Sequence, residues 1–262
     1  MGQKAVFFDI DGTIFEFNKG TPDNTREAIH RLRENGHLAF ISTGRSLSYI
    51  SEDILDVGFD GVLAGCGTYI SYKGKELDNV RMDQEGLREA LAFFEKIGIY
   101  PILEGWEWLY FDFEAFPPER SWSKVYRQRF QHVIKPLTGH VGDFDCNKLT
   151  LFIKNAKEAE MVIDRFDGVY HIVNHDNEYM ELMPLGYSKA TSIKKIEEYL
   201  HLANEDMYAI GDSNNDLEMF EACGTAICMG NGSPKAKEAA DFVTADMFSD
   251  GITIALKEYG LI

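Results

Sequence analysis

Strand-like and helix-like patterns alternate over the first 70 residues, and this alternation restricts the possible fold more than any other feature of the chain. Apolar runs at residues 6–8, 37–43 and 61–70 are typical of buried strands. The intervening segments 24–36 and 46–58 have the pattern of helices, and each ends at a glycine. Strands joined through single helices predict a parallel, doubly wound sheet.

The same rhythm returns in the C-terminal part of the chain. Helix patterns there cover residues 188–200, 215–222 and 251–259, and strand patterns cover residues 207–212 and 225–230. We therefore assign both ends of the chain to one α/β domain, with a mainly parallel, Rossmann-like sheet.

The middle of the chain follows a different pattern. Its helix-like segments are 84–97 and 156–166, and its strand-like segments are 100–113, 147–153 and 170–184. This order is typical of an α+β domain with a mostly antiparallel sheet. We predict that residues 83–185 form such a domain, inserted into an α/β core made of residues 1–82 and 186–262. A hairpin that turns at Lys73-Gly74 leads away from the core sheet.

Two aspartates lie at the end of the first strand pattern, in the stretch DIDGT. Asp9 and Asp11 are two residues apart, so on a strand both side chains would point to the same face. Like charges this close repel unless a cation lies between them or one carboxyl keeps its proton. Gly12 permits a sharp turn directly afterwards. Taken alone, the stretch leaves open that both acids are turn residues in water.

Other polar residues follow strands of the same predicted sheet. They are Thr43, Gly44 and Arg45 after the second strand, Lys189 at the start of a helix, and Asp212, Asn215 and Asp216 after a later strand. Each has an ordinary explanation of its own, such as a helix cap, a solvated charge or a turn. Because the carboxyl ends of parallel strands meet at one crevice, we nevertheless expect these side chains to lie together.

Charge and composition narrow the choice of partners. The formal net charge is −17 and no basic stripe is present, which argues against a nucleic-acid partner. An anionic substrate would need a metal ion or local cationic side chains in such a protein. No apolar run reaches the ~18 residues of a membrane span, and the four cysteines form no CxxC pair. We expect a cytoplasmic protein, a monomer or weak homodimer, that binds neither nucleic acid nor membrane.

A calcium-binding loop is an alternative reason for closely spaced acids, and the sequence argues against it. The twelfth position of an EF-hand loop carries a bidentate Glu. That position holds Gly20 when counted from Asp9, and Cys223 when counted from Asp212. We therefore do not expect a calcium loop of this kind.

Four motifs in this order resemble those of the haloacid dehalogenase-like hydrolase superfamily. They are DIDGT at the N-terminus, STGR after the second strand, SK before a helix, and GDSNND near the C-terminus. The size of the inserted section resembles the Cof-type branch, which carries a large type-two-B cap, and the later stretch MGNGSPKAKEAADFVT is similar to this branch as well. The resemblance covers nearly the whole chain.

The resemblance implies a role for each candidate residue. Asp9 would be the nucleophile that takes the phosphoryl group, and Asp11 the general acid and base. Mg²⁺ would bind Asp9, Asp11 through its backbone carbonyl, and Asp212, with Asp216 holding a metal-bound water. Phosphate oxygens would be bound by the remaining candidates, Thr43, Gly44, Arg45, Lys189 and Asn215.

The predicted function is Mg²⁺-dependent hydrolysis of small phosphorylated metabolites, with sugar phosphates as the leading class, through an aspartyl-phosphate. A phosphomutase that uses the same acids is the nearest alternative. A non-catalytic binding or regulatory protein is an alternative of another class. The chain departs from the family pattern at Cys66-Gly67, where Asn-Gly is common, and at Ala190, where Gly usually follows the motif lysine.

The inserted section offers two groups that could read a substrate. Its aromatic residues are expected mainly to form a small core, although some could stack on a ring-bearing substrate. An acidic run, Asp176, Glu178 and Glu181, could accept hydrogen bonds from sugar hydroxyls, but we favour a solvated strand edge for it.

Overall fold

The computed structural model describes residues 2–115, 128–175 and 179–262. The described residues divide into two compact units. The first unit contains the N-terminal segment up to Gly44, Glu52–Leu77 and Ser188–Ile262, and the second contains Arg45–Ser51 and the described parts of Asp78–Tyr187. The predicted boundaries of a catalytic core and a cap, at residues 83 and 185, stay a prediction.

The strands of the described residues form two sheets. In chain order they are β1 (Ala5–Phe8), β2 (Leu38–Ser42), β3 (Gly61–Ala64), β4 (Tyr69–Tyr72), β5 (Lys75–Asn79), β6 (Pro101–Glu104), β7 (Leu109–Tyr110), β8 (Ile134–Lys135), β9 (Lys148–Phe152), β10 (Tyr170–His175), β11 (Tyr179–Pro184), β12 (Met207–Gly211), β13 (Thr225–Cys228) and β14 (Phe242–Val243). The larger sheet has the order β14-β13-β12-β1-β2-β3-β4-β5, and the smaller has the order β10-β11-β9-β6-β7-β8.

The helices connect these strands. Those with bounds inside the described residues are, in chain order, α1 (Asp23–Glu34), α2 (Glu52–Leu55), α3 (Gln84–Ile97), α4 (Ala156–Phe166), α5 (Lys189–Leu200), α6 (Leu217–Ala222), α7 (Pro234–Ala239) and α8 (Gly251–Glu258). The larger sheet is parallel from β14 to β3, and β4 pairs antiparallel to β3. This arrangement confirms the predicted fold class, an α/β protein with a mainly parallel sheet and an inserted α+β section.

The first strand is buried along its whole length, because it lies between β12 and β2 in the centre of the larger sheet. Phe7 stacks on Phe40 of β2, with their ring centroids 5.1 Å apart. Apolar side chains of α5 and α6 belong to the same core cluster. Full burial of each such side chain contributes ~1.5–3 kcal/mol to folding, so the strand that ends before Asp9 is strongly anchored.

Two predicted elements differ from the observed ones. The strand predicted at 61–70 is divided between β3 and the antiparallel β4, because Gly65, Cys66 and Gly67 adopt left-handed backbone angles (φ of 58°, 53° and 87°) that reverse the chain. The helix predicted at 46–58 is reduced to a 3₁₀ turn at Leu47–Tyr49 and the short α2. The predicted hairpin turn is present, with positive φ at Lys73 and Gly74, but the prediction that it leads away from the core sheet is wrong, because β4 and β5 are both strands of the larger sheet.

The second unit packs two helices on a mostly antiparallel sheet. Its core cluster combines side chains of α3 and α4, such as Phe94 and Phe166, with Leu103, Leu149 and Leu182 from the sheet. Tyr110 and Phe111 are buried, as expected for core aromatics, whereas Phe116, Trp122 and Tyr126 lie outside the described residues. The described part of the chain contains no helix with the length and apolar character that a membrane span requires.

The assignment of Glu181 to a solvated strand edge is wrong. Its strand, β11, lies between β10 and β9, so both sides of the strand are paired. The Glu181 carboxylate forms an ion pair with Lys148, which is itself almost fully buried, and a hydrogen bond with His175 Nε2 at 3.0 Å. Asp176 and Glu178 lie outside the described residues.

Candidate active site

The nucleophile candidate lies one residue beyond the end of β1. The backbone N–H of Asp9 donates to the Ile210 carbonyl of β12 at 2.9 Å, so the sheet holds the residue in place. The Asp9 side chain is buried, whereas Asp11 is exposed. The argument that both acids share one face of a strand does not apply, because β1 ends at Phe8 and the chain then turns. Asp11 is nevertheless close enough for its charge to raise the pKa of Asp9.

Gly12 brings the turn after β1 against the loop that follows β12. Its φ of 80° lies in the left-handed region, where residues with a Cβ are strained. A Cβ at this position would also overlap the carboxylate of Asp212. The hydroxyl of Thr13 donates to Asp212 Oδ1 at 3.3 Å. A glycine is therefore required here for two reasons, backbone conformation and space.

Lys189 is the centre of the charged cluster. It is the first residue of α5, and the preceding Ser188 caps the helix by accepting a hydrogen bond from the Thr191 N–H. The buried Lys189 Nζ donates to Asp9 Oδ1 and to Asp216 Oδ1, both at 2.6 Å, and to Asn215 Oδ1 at 3.3 Å. One ammonium group thus holds two carboxylates from different loops, which is the kind of charge-assisted contact that orients buried groups.

Asp216 supports the loop after β12. It is fully buried, and its Oδ2 accepts from the backbone N–H groups of Asp212 at 2.9 Å and of Ser213 at 3.0 Å. A carboxylate oxygen from each of Asp9, Asp212 and Asp216 lies within 4.8 Å of the others. The structure therefore brings together Asp9, Lys189, Asp212, Asn215 and Asp216, five of the predicted site residues.

The STGR residues are divided between the two units. Thr43 follows β2, the neighbour of β1, and its backbone N–H donates to the Leu63 carbonyl of β3 at 2.9 Å. Thr43 and Gly44 belong to the first unit, whereas Arg45 belongs to the second. The Arg45 guanidinium lies over the ring of Tyr49, 5.0 Å from its centroid. Sequence spacing alone could not distinguish these two environments.

The departure at Cys66 lies in a turn whose backbone conformation suits the usual Asn better than Cys. Cys66 has φ of 53°, in the left-handed region that Asn tolerates better than most residues. Its N–H donates to the Thr43 carbonyl at 3.0 Å. A Cβ on the next residue, Gly67, would overlap the carbonyl of Ser188, the residue that caps α5. The turn thus packs directly beside Thr43 and Lys189, although Cys replaces the usual Asn.

Burial and charge set the protonation of the cluster. Burial raises the pKa of Asp9 well above its usual range, Lys189 opposes this, and Asp216 and Asp11 add to it. Burial, followed by the charge of Asp216, raises the pKa of Asp212 to about 7. Burial alone would lower the pKa of Lys189, but Asp216 and Asp9 outweigh it and raise that pKa. Lys189 is therefore charged, and the surrounding acids are in excess over it.

This excess of buried acid fits a divalent cation. Carboxylate oxygens are the ligands that Mg²⁺ prefers, and a cation beside Asp9 and Asp212 would favour their ionised forms. The absence of a side chain at Gly12 leaves room for the Asp212 carboxylate beside the turn after β1, since a Cβ there would overlap it. The donor set of Asp9 and Asp212, with Asp216 behind them, is therefore suited to a hard cation.

The raised pKa of Asp212 predicts an unusual pH dependence for the metal-free protein. The carboxyl has a reference pKa of 3.8 and a folded-state pKa of about 7, so between these values the unfolded chain releases its proton first. This contribution to the free energy of unfolding is fully present below pH ~4 and is lost as the pH rises through ~7. Urea unfolding in EDTA from pH 4.5 to 8 should show the decline.

The Asp212→Asn variant is the control for this prediction, since it removes the titrating group. The difference in unfolding free energy between wild type and variant should fall with pH across the window. Added Mg²⁺ should stabilise the wild type more at pH 8 than at pH 5, because it binds ionised carboxylates. A difference that stays constant from pH 4.5 to 8 would contradict the raised pKa.

Two contacts to the acid-bearing loops were not predicted from the sequence. Asn231 and Ser233 lie in the loop after β13, and both bind backbone atoms of the acid-bearing loops. The stretch MGNGS contains both residues and resembles the Cof-type branch, so a signal was present. It did not indicate which atoms the two residues would contact.

The fold and the acid cluster define a hydrolase of one family. The model of the haloacid dehalogenase-like hydrolase family matches residues 6–256, and the chain belongs to this family. The predicted superfamily and Cof-type branch are thereby confirmed, and the protein is a phosphatase by class.

Similar proteins match along the whole chain. The Bacillus subtilis protein YkrA, named provisionally as a phosphatase, is 30% identical, with 100% of both chains covered. The phosphoglycolate phosphatase of Methanosarcina acetivorans is 29% identical, and the match covers 97% of this chain and 95% of the relative.

Solved structures give the same result. A Geobacillus kaustophilus protein without an assigned function superimposes with a TM-score of 0.85 at 30% identity, with 100% of both chains covered. The subclass IIB sugar phosphatase BT4131 superimposes with a TM-score of 0.81 at 26% identity, with 99% of this chain and 100% of the other covered.

Proposed function

We propose that this protein hydrolyses small phosphorylated metabolites, sugar phosphates most of all, in a Mg²⁺-dependent reaction through an aspartyl-phosphate on Asp9. The observation that carries the proposal is the contact of Asp9 Oδ1 with Lys189 Nζ at 2.6 Å, inside a cluster that also holds Asp212 and Asp216. A positive charge in contact with this buried carboxylate orients it, and the same charge opposes the rise in the Asp9 pKa that burial causes.

In the first step, a carboxylate oxygen of Asp9 attacks phosphorus and the bond from phosphorus to the leaving oxygen breaks. Asp11 gives its proton to that oxygen. In the second step, Asp11 takes a proton from water, the water oxygen attacks phosphorus, and the bond to Asp9 breaks to release inorganic phosphate. The exposed position of Asp11 supports this role, because in the second step its carboxylate must contact the water molecule that it deprotonates.

The other residues would bind and orient. Lys189 would offset negative charge as phosphate approaches Asp9, and Thr43, Gly44, Arg45 and Asn215 would bind phosphate oxygens. Asp9, Asp212 and the Asp11 carbonyl would hold Mg²⁺, which when bound neutralises the charge of the phosphoryl group. Asp216 would keep both Lys189 and the Asp212 loop in position, which its three hydrogen bonds to them support.

The names of the relatives support a small phosphomonoester as substrate, although each relative is named for a different phosphomonoester. One is a phosphoglycolate phosphatase, one a sugar phosphatase, and YitU of Bacillus subtilis, 26% identical, a 5-amino-6-(5-phospho-D-ribitylamino)uracil phosphatase. Two of these three substrates carry a polyhydroxylated chain or ring, which favours sugar phosphates and related polyol phosphates as the class to test first.

A phosphate-release screen tests the proposal. We expect turnover of sugar phosphates with Mg²⁺, no turnover in EDTA, and inhibition by excess Ca²⁺, because Ca²⁺ takes more ligands in looser geometry than Mg²⁺. Product analysis should show free phosphate and the dephosphorylated sugar. Formation of a sugar-phosphate isomer without phosphate release would instead support a phosphomutase, and full activity in EDTA would contradict the metal assignment.

A further inference from the structure

We propose that Asn231 is a positioning residue that sets the spacing between the Asp9–Gly12 turn and the Asp212 loop, and thereby the affinity and selectivity for Mg²⁺. The inference rests on the proposed function, since it assumes that these two segments hold the metal. Asn231 lies in the loop between β13 and α7, residues 229–233, which we name the crossing loop.

Asn231 links two distant segments through its side-chain amide. Its Nδ2 donates to the Gly12 carbonyl at 2.8 Å, and its Oδ1 accepts from the Met247 N–H at 3.0 Å. Both partners are backbone atoms, so the two hydrogen bonds fix the positions of the backbone segments and do not depend on the side chains of Gly12 or Met247. The amide therefore ties the turn that follows Asp11 to the C-terminal part of the first unit.

The crossing loop also forms hydrogen bonds with the second acid-bearing segment, the loop that contains Asp212. The Ser233 N–H donates to the Asp212 carbonyl at 2.7 Å, and the Ser233 hydroxyl donates to Asn214 Oδ1 at 2.9 Å. A Cβ at Gly232 would lie 2.9 Å from the Asp212 carbonyl oxygen, which leaves no space for a side chain. The crossing loop thus lies directly against the backbone that carries Asp212.

These contacts make the crossing loop a spacer between the segments that would hold the metal. Asn231 binds the residue after Asp11, and Ser233 binds Asp212 itself. Removal of the Asn231 amide would release the Gly12 side and leave the Asp212 side attached. Mg²⁺ demands near-ideal octahedral geometry with ligands at ~2.0–2.1 Å, whereas Ca²⁺ accepts distances of ~2.3–2.6 Å and variable coordination. Loss of the spacer should therefore weaken Mg²⁺ binding more than Ca²⁺ binding.

The experiment is calorimetric titration of the metal-free protein with Mg²⁺ and, separately, with Ca²⁺. We expect Asn231→Ala to raise the Kd for Mg²⁺ ~10-fold or more, the usual effect of removing a residue that orients metal ligands. The Kd for Ca²⁺ should change clearly less, so the ratio of the two constants shifts. The Asn231→Ala variant has the same charge as the wild type. A change in the ratio of the two Kd values therefore reflects a change in the spacing of the metal ligands.

Asn35→Ala is the matched control. The Asn35 side-chain amide also donates to a distant backbone carbonyl, that of Leu261, at 2.9 Å, and Asn35 lies at the C-terminal end of α1, outside the acid-bearing loops. Its loss should lower the melting temperature without changing the Kd for Mg²⁺. If Asn231→Ala does not fold, Asn231→Ser is titrated in its place, because its side chain is shorter and cannot make both contacts.

The outcomes separate this inference from the proposed function. If the wild type hydrolyses phosphomonoesters with Mg²⁺ but the variant keeps both Kd values within ~2-fold, the positioning role is wrong and the function stands. An equal loss of Mg²⁺ and Ca²⁺ affinity also overturns the role, since a change in spacing must discriminate between them. If the wild type binds no Mg²⁺ at all, both the function and the inference fall.

Discussion

Replacement of Asp9 by Asn should abolish phosphomonoester hydrolysis while the protein stays folded. The amide oxygen cannot attack phosphorus to form an acyl phosphate, so turnover should fall by ~10⁴-fold or more. The fold should tolerate the change, because the Asn oxygen can still accept from Lys189 Nζ at the position of Asp9 Oδ1. Burial disfavours the ionised form of Asp9, so the neutral amide should not destabilise the metal-free protein.

Two measurements check this expectation. Acid quenching after brief exposure to radiolabelled phosphomonoester should leave label on wild-type protein and none on the variant. Circular dichroism and thermal unfolding should match those of the wild type, and mass spectrometry should exclude reversion of Asn to Asp by deamidation. More than ~1% residual activity in a folded, undeamidated variant would remove Asp9 from the nucleophile role.

Replacement of Lys189 by Met should destabilise the metal-free protein strongly and also slow the reaction. Lys189 is 3% exposed and holds Asp9 and Asp216, so its removal leaves buried carboxylates without a counter-charge. Breaking a buried ion pair in this way typically costs ~3–5 kcal/mol of unfolding free energy. Turnover should fall by ~10²-fold or more, since a charge that offsets the incoming phosphate is lost. Urea unfolding and phosphate release measure the two effects.

Lys148→Met is the matched control for stability. Lys148 is equally buried, in the second unit, and pairs with Glu181 and Glu104. Both variants should be destabilised, but Mg²⁺ should restore stability only to Lys189→Met, where a cation can replace the lost charge among the acids. The double variant Lys189→Met, Asp216→Asn should regain part of the loss. A Lys189→Met protein with wild-type stability and activity would contradict the proposed arrangement.

Much of the fold could be predicted from local patterns because strands and helices have different apolar periods. The predictions that failed concern segments whose structure depends on backbone angles or on strand pairing, which local patterns do not show. The run 61–70 contains no charged residue, yet left-handed angles at Gly65, Cys66 and Gly67 turn the chain back on itself. Glu181 resembles a surface acid in sequence, but its strand has neighbours on both sides, and Lys148 pairs with it from the adjacent strand β9.

The sequence by itself determined the family, the order of the α/β core, and the set of acids and the lysine that meet beyond the strands. These depend on short motifs and on the rule that parallel strands end at one edge. Only the tertiary structure decided that Asp9 is buried while Asp11 is exposed, and that the amide of Asn231 reaches Gly12 across 219 residues of chain. Burial and long-range hydrogen bonds depend on which backbone segments pack together in space. Local residue patterns do not determine the distances between segments that are far apart in the sequence.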